Sequence, residues 1–383
     1  MTTRWMRTGQ AVADGSAGLA GAEAASAALA GGRAALVVVL SASRSDHQAV
    51  LAGVRSVTGE TPLVGASSPT VFGSQGPTRA DVVVTVLGGD GLTAATASST
   101  SEDPRRRGTE VASALAGVDG AHRVLLVLPD GLDYCQDELV RGVYDVAGPT
   151  VPVVGGGSAA VVGVEDPVQM HDGRVLRGGA VAAALASDRP FGIGARHGMR
   201  RVGEALVVTG STGLEVQTLD GEPAVDAYLS RLDAPVRARY DHAAFAEFAQ
   251  LHPMGLARHR REEARVVVGA DLRRRALQFV TPVPQGGLVW LMEGSTGSVL
   301  SATRESCEDA VAGLGGHPLA GLLVHSCVAR QQILGDAGIS AEVASVRAVA
   351  GAAASAVGYS FGEIARTTGY AGCHNQTLVS LAV

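Results

Sequence analysis

Aromatic side chains make up only 4% of this 383-residue chain, so its interior has to be filled by Val, Leu and Ala. Cysteine is scarce as well: Cys135, Cys307, Cys327 and Cys373 lie far apart with no CxxC spacing. That excludes a zinc ribbon and a secreted disulfide framework and suits a reducing cytoplasm. No run of about 20 apolar residues is present, so nothing in the sequence reads as a membrane span. An excess of positive charge is also missing. The net charge is -6, and the basic clusters are "RRR" at 105–107 and "RHRREEAR" at 258–265. The second carries Glu262 and Glu263 and reads as a solvated face, so a nucleic-acid partner is not expected. The N-terminal stretch holds Asp14 and Glu23 where a secretory signal would be continuously apolar, and reads as an amphipathic helix.

What is present is a pattern that recurs three times. "AALVVVLSASRSDHQAVLAGVRSVTGETPLVGAS" runs from a buried-type strand, Ala35 to Leu40, through a Ser-rich turn and a helix facing inward with Val50, Leu51 and Val54. A second strand then ends in Gly-Ala-Ser, and a further run, Asp81 to Leu87, closes the unit. "RVLLVLPDGLDYCQDELVRGVYDVAGPTVPVVGGGSA" repeats the order, with Leu139, Val140 and Val143 inward and "RGGAVAAAL" closing. "LLVHSCVARQQILGD" opens the third copy, "GYSFGEIA" ends its second strand, and Thr377 to Val383 close it. A helix between two apolar strands implies a parallel crossover, and the extra strand implies mixed pairing. The expected fold is therefore α/β: layered mixed β-sheets with covering helices, built from repeated β-α-β-β units in two parts. Ligands of layered sheets gather outside the carboxyl ends of strands. Aligned by sequence, Ser41, Asp130 and Cys327 occupy one such place, and Ser67, Ser158 and Ser360 another.

Between the second and third copies the pattern changes. "ALVVTGSTGLEVQTLDGEPAVDAYLSRL" reads as two strands around Gly210–Gly213, a turn at Asp220-Gly221 and a helix from Pro223. "ALQFVTPVPQGGLVWLMEGS" reads as a hairpin through Gln285-Gly286-Gly287. The part boundary is expected between Leu232 and Ala244, where charges and alanines replace strand patterning.

The motifs "VLPDGL", "VPVVGGGSA", "HDGRVLRGGAV", "VTGSTGLEVQTLDGEPAVDAYL", "HPMGL", "GLLVHSCVAR", "GYSFGEIA" and "HNQT", in that order, resemble the FIST family over nearly the whole chain. The resemblance implies an N-type domain at 1–235 and a C-type domain at 236–383. It implies a bacterial sensory module for small molecules such as amino acids, joined in relatives to signalling output domains. With no output domain among these residues, the signal is expected to pass to a separately encoded protein such as a histidine kinase. Other relatives imply haem-based detection of nitric oxide. Relatives carry Gly-Glu after the small residues of the first glycine turn, as Gly362-Glu363 does in the third copy. Here the first copy has Pro69-Thr70 instead.

Cys327 has three readings: a nucleophile, a pocket residue or a small buried hydrophobe. A helix starting at Val328, with Arg330 nearby, would lower its thiol pKa. A nucleophile also needs a base, and His325 shares its strand face while His252 and His374 lie elsewhere in sequence. The enzyme alternative is therefore acyl transfer or hydrolysis on Cys327. Arg330 has a fork that matches a ligand carboxylate, with Glu363 or Glu342 as internal partners. Asp130 and Ser158 offer hydrogen bonds, and Tyr359 a wall. His252, extended before Pro253, is the candidate axial ligand if haem is bound, although a haem pocket needs the bulky aromatic walls that are scarce here. "GCHNQ" sets Cys373 beside His374, but neighbours on an extended chain face opposite ways, so no metal is expected.

Overall fold

Each apolar run bounded by Ser- or Gly-rich turns becomes the centre of a sheet, and each amphipathic run becomes a helix over it. The computed structural model describes residues 4–29, 32–161, 165–258, 261–366 and 372–383. The first unit comprises β1 (Trp5–Ala11), α1 (Ala17–Leu29), β2 (Ala34–Ala42), α2 (His47–Thr58), β3 (Leu63–Ser68), β4 (Val71–Phe72) and β5 (Val82–Gly88). The second comprises β6 (Leu92–Ser99), α3 (Pro104–Ala112), β7 (His122–Pro129), α4 (Gln136–Ala147), β8 (Val153–Gly156), β9 (Gln169–His171), β10 (Arg174–Leu176) and β11 (Ala180–Ser187).

The third unit opens with β12 (Gly192–Arg196) and is then interrupted by a separate module. Its elements are β13 (Arg200–Thr212), β14 (Glu215–Leu219), β15 (Glu222–Pro223), α5 (Ala224–Arg231), α6 (His242–Ala249), β16 (Met254–Arg258), β17 (Arg261–Arg265), β18 (Val267–Asp271), β19 (Ala276–Phe279) and β20 (Leu288–Glu293). The unit resumes with α7 (Thr296–Ala312), β21 (Gly321–Cys327), α8 (Val328–Ala350), β22 (Ala354–Ser360), β23 (Glu363–Arg366), β24 (Cys373–His374) and β25 (Leu378–Ala382).

Strand order is the same in all three units: β1-β5-β2-β3, β6-β11-β7-β8 and β12-β25-β21-β22. The two strands flanking the second helix of each unit pair parallel, and the closing strand pairs antiparallel, as the sequence pattern requires. Each unit then hands its insertion to another unit. β4 extends the third sheet beside β22, β9 extends the first beside β3, and β23 extends the second beside β8. The result is a three-sided prism with a cyclic exchange of edge strands.

Strand alternation explains the layers. Leu36, Val38 and Leu40, Leu126, Leu128 and Val154, and Leu323, Ala356 and Leu381 meet in one central core. The residues between them face three separate outer layers, covered by α1/α2, α3/α4 and α7/α8. In the first two units the helices touch through glycine. A Cβ on Gly53 of α2 would lie 1.9 Å from the Gly18 carbonyl of α1, and one on Gly142 of α4 would lie 1.9 Å from the Arg105 carbonyl of α3.

The register corrects one alignment. Ala42 pairs with Ser68, Asp130 bridges Ser158 and Cys327 pairs with Ser360, so Ala42 and Ser68 take the place assigned to Ser41 and Ser67. A slip of one residue turns a side chain to the other face. Ser41 accordingly faces the helices, where its hydroxyl lies 3.2 Å from His47 Nδ1.

The inserted module has its own core around Tyr228, Phe245, Leu256 and Leu291. β13 and β14 form the expected hairpin, and Asp220 and Gly221 turn at φ 50° and 82°. The hairpin expected through Gln285–Gly287 does not form: β20 pairs with β13 and β16, while β19 pairs with β14 and β18. Pro282 and Pro284, which have no N–H to donate, stand where a β19–β20 ladder would continue. Residue 235 falls inside this module, between α5 and α6. Of the basic clusters, Arg105, Arg106 and Arg107 are each ion-paired, to Asp145, Glu110 and Asp133, and Arg265 pairs with Glu263 at 2.7 Å. His259 and Arg260 lie outside the described residues. Among the described residues no helix is long and apolar enough to cross a membrane.

Candidate functional site

β21 and β22 run side by side with opposite faces committed to different surroundings. Leu323, His325 and Cys327, with Ala356, Gly358 and Ser360, point towards the prism axis. Leu322, Val324 and Ser326, with Val357 and Tyr359, point towards α7 and α8.

Arg330 lies in the first turn of α8 and joins the helix-facing side. Its Nη2 donates to Glu342 Oε1 at 2.7 Å, to Thr303 Oγ1 at 2.7 Å and to the Val299 carbonyl at 3.1 Å, and its Nη1 to the His197 carbonyl. Glu342 Oε2 accepts from Ser326 Oγ at 3.0 Å and Tyr359 Oη at 2.7 Å. Arg330 and Glu342 are both fully buried. Each charge is compensated by the other and by hydroxyls and carbonyls, which is the condition for keeping an ion pair out of water. Arg330 therefore holds its carboxylate from within the chain, and Tyr359 is a second ligand of that same carboxylate.

Cys327 ends β21 at the axis side and is the residue from which α8 starts. Its sulfur accepts the backbone N–H groups of Ala329 and Gln376 and is hydrogen-bonded to the Glu363 carboxyl. Glu363 Oε1 accepts from Ser360 Oγ at 2.9 Å, and Oε2 from the Thr377 amide at 3.3 Å. Burial pushes the Glu363 carboxyl up to about 8, and burial together with that neighbouring carboxyl pushes the Cys327 thiol far above its ordinary value. The expected activation by Arg330 is reversed, because Arg330 points to the opposite side of β21. His325 shares the axis face as expected, but burial holds it neutral down to about 4 and its Nε2 has no partner among the described residues. The group touching the thiol is Glu363; of the two internal partners that sequence leaves open for Arg330, it is Glu342 that pairs with it.

Asp130 and Ser158 stand at the register-equivalent place one unit away. Asp130 accepts from the amides of Leu132 at 2.9 Å and Gly178 at 3.0 Å, which fixes the turn after β7. Burial raises its pKa. Ser158 Oγ accepts from Gln169 Nε2 at 2.6 Å. His252 lies in the inserted module, stacked on Phe248 at 4.1 Å with Nδ1 2.7 Å from the Phe248 carbonyl. It lines neither of the cavities described below, so these residues do not fit an axially ligated haem. Nor do the described residues bring together three His, Cys, Asp or Glu side chains able to hold a metal.

A cavity of about 550 Å³ opens directly over Cys327. One wall is the prism: Gly131 to Tyr134 and Gln136 at the start of α4, Cys327 to Ala329, Gln331 and Gln332 at the start of α8, with Phe361 and Asn375. The other is the module: Gln250, Val266, Val268, Val280 and Thr281. Two hydrogen bonds sew the walls together, Thr281 Oγ1 to Asn375 Oδ1 at 2.7 Å and Gln376 Nε2 to the Gln250 carbonyl at 2.6 Å. Sequence reasoning did not single out Gln331, Gln250 or this seam. "HNQT" was the one signal, since Asn375 and Gln376 belong to it. A second cavity, about 970 Å³, lies between β12, α7 and β17. Its acids are already paired: Asp309 with Arg196 at 2.5 Å, Glu262 with Arg201 and Glu263 with Arg265.

Residues 35–222 match the FIST N domain and residues 224–366 the FIST C domain. No curated relative matches the chain. Among solved structures, the crystal structure of cyanuric acid hydrolase from A. caulinodans aligns at 14% identity and a TM-score of 0.31, over 49% of this chain and 72% of that one. FIST domains are associated with small-ligand sensing and signal transduction. With the two domain models adjoining at residues 222 and 224 and together spanning most of its length, this chain belongs to the FIST family.

Proposed function

We propose that this FIST protein senses a small polar ligand held in the cavity over Cys327. The observation that carries the reading is the cavity's construction: one wall from the starts of α4 and α8, the other from the inserted module, over a neutral thiol–carboxyl pair. An amino acid or other small carboxylate is what Arg330 pointed to in the sequence. Arg330 is engaged by Glu342 behind the strand, so the reading rests on the cavity instead. Cys327 and Gln331 form the floor, Glu363 supports Cys327, and Asp130 and Ser158 fix the neighbouring turn. The Arg330–Glu342–Tyr359 network sets the strand geometry from behind.

Occupancy would be reported by the module. β13 and β20 enter it side by side, Arg200 pairing with Glu293, and the Thr281–Asn375 and Gln376–Gln250 bonds close it on the prism. A ligand touching both walls favours the closed seating by its differential contacts. A separately encoded signalling protein, such as a histidine kinase, would read that seating. The test is thermal stabilisation by a panel of amino acids and other small polar molecules, set against Val268→Trp, which fills the cavity from its module wall. A ligand should raise the melting temperature of the parent protein and not of the variant. Equal stabilisation of both would remove the site from this cavity.

A further inference from the structure

Resting on that cavity reading, we infer that the ligand is electrically neutral and carries an amide-like edge, a hydrogen-bond donor beside an acceptor. Among the described residues Asp133 is the one carboxylate on the wall, and both its oxygens are engaged: Oδ2 with Arg107 Nη1 at 2.5 Å and Oδ1 with the Cys135 amide at 3.0 Å. No lysine, arginine or histidine lines the cavity among the described residues. The thiols of Cys327 and Cys373 are held in the neutral form by burial. The stretch of α8 that begins here runs only to Leu334 before Gly335 breaks it at φ 60° and ψ -179°. So short a stretch supplies little end charge. An ion entering this space would lose water and gain no counter-charge.

Apart from the exposed Tyr134 hydroxyl, the polar groups left over are carboxamides, of which Gln332 is exposed. Gln136 is used by the Phe361 carbonyl at 3.0 Å, and Asn375 by Thr281 and the His374 carbonyl. Gln331 and Gln250, both half-buried, have no side-chain partner among the described residues. Each offers an N–H pair and a carbonyl, the complement of another amide. Val266, Val268 and Val280 supply an apolar wall for the rest of the molecule. Primary amides, lactams and cyclic imides combine those two features.

Ligand-observed NMR on the full chain decides it, using nicotinamide, 2-pyrrolidone and glutarimide against nicotinate, glutarate, L-glutamate and butylamine. The neutral probes should bind at least about tenfold more tightly than their charged counterparts, and Gln331→Leu should weaken them by about the same factor. Val268→Trp should abolish binding, with Val161→Trp at the opposite rim as a second block if the first variant melts early. A charged probe that matches the amides, and is lost in the blocked variants, overturns the neutral class and leaves the cavity reading intact. Binding unaffected by either tryptophan, or no binding by any probe at millimolar concentration, overturns the cavity reading and this inference with it.

Discussion

The two faces of β21 and β22 use the same backbone for opposite electrostatic purposes. Towards α7 and α8, Arg330 and Glu342 form a fully buried ion pair whose coordination Thr303, Ser326, Tyr359 and backbone carbonyls complete. Towards the axis, Glu363 has a hydroxyl, an amide and a thiol but no cation, and burial drives it towards the neutral form. Burial alone does not decide whether a carboxyl is charged. The cation across from it does, and Arg330 lies on the helix side of the sheet with Glu342.

The strongest way to break this comparison is to take the cation away. Arg330→Met leaves Glu342 buried and unpaired, and should cost about 3–5 kcal/mol in chemical denaturation. Adding Glu342→Leu should recover more than half of that loss. A single variant costing under about 1 kcal/mol would mean that the pair is not what holds this face. Tyr359→Phe is the smaller version: it deletes one charge-assisted hydrogen bond to Glu342 and should cost about 1.5–3 kcal/mol. Its coupling to Arg330→Met, measured as a double-mutant cycle, should be clearly non-zero because both act on one carboxylate.

Why Arg330 invited a ligand reading is also physical. Its partner is twelve residues on, beyond a helix break at Gly335, and no local periodicity links the two. The triplicated units were legible because apolar runs, turn residues and helical spacing are local, and so was the shared face of His325 and Cys327, which follows from strand alternation. The cyclic exchange of β4, β9 and β23 was not legible, because each pairs with a strand of another unit far away in sequence. The cavity was hidden for the same reason. Its walls come from stretches scattered between Pro69 and Asn375, and only the tertiary fold brings Gln250 and Val268 over Cys327.

On the axis face the expected effect depends on pH. Glu363 has a folded pKa of about 8 against an ordinary value of 4.5, so between those limits the folded state binds more protons than the unfolded one. Stability is then greatest below about pH 4.5 with respect to this group and falls as pH rises, with a slope of up to about 1.4 kcal/mol per unit, levelling off above 8. Glu363→Gln keeps the shape and removes the titration. It should be close to parental near pH 5 and more stable than the parent near pH 8.5. Parallel stability curves for the two proteins across that range would show Glu363 to be charged, and the contrast between the faces would disappear.

The least perturbing measurement concerns the thiols themselves. Cys135 is exposed, whereas Cys327 is 4% exposed and pushed further towards the thiol form by the carboxyl beside it. Thiolate and access are both needed for alkylation. Peptide mass spectrometry after iodoacetamide at neutral pH should therefore find Cys135 modified first and Cys327 protected. In Glu363→Gln the charge beside the thiol is gone at every pH, but its burial is not, so protection should persist. If Cys327 were instead modified ahead of Cys135 in the parent, the axis face would hold a thiolate, and a nucleophile would replace a neutral floor beneath the cavity.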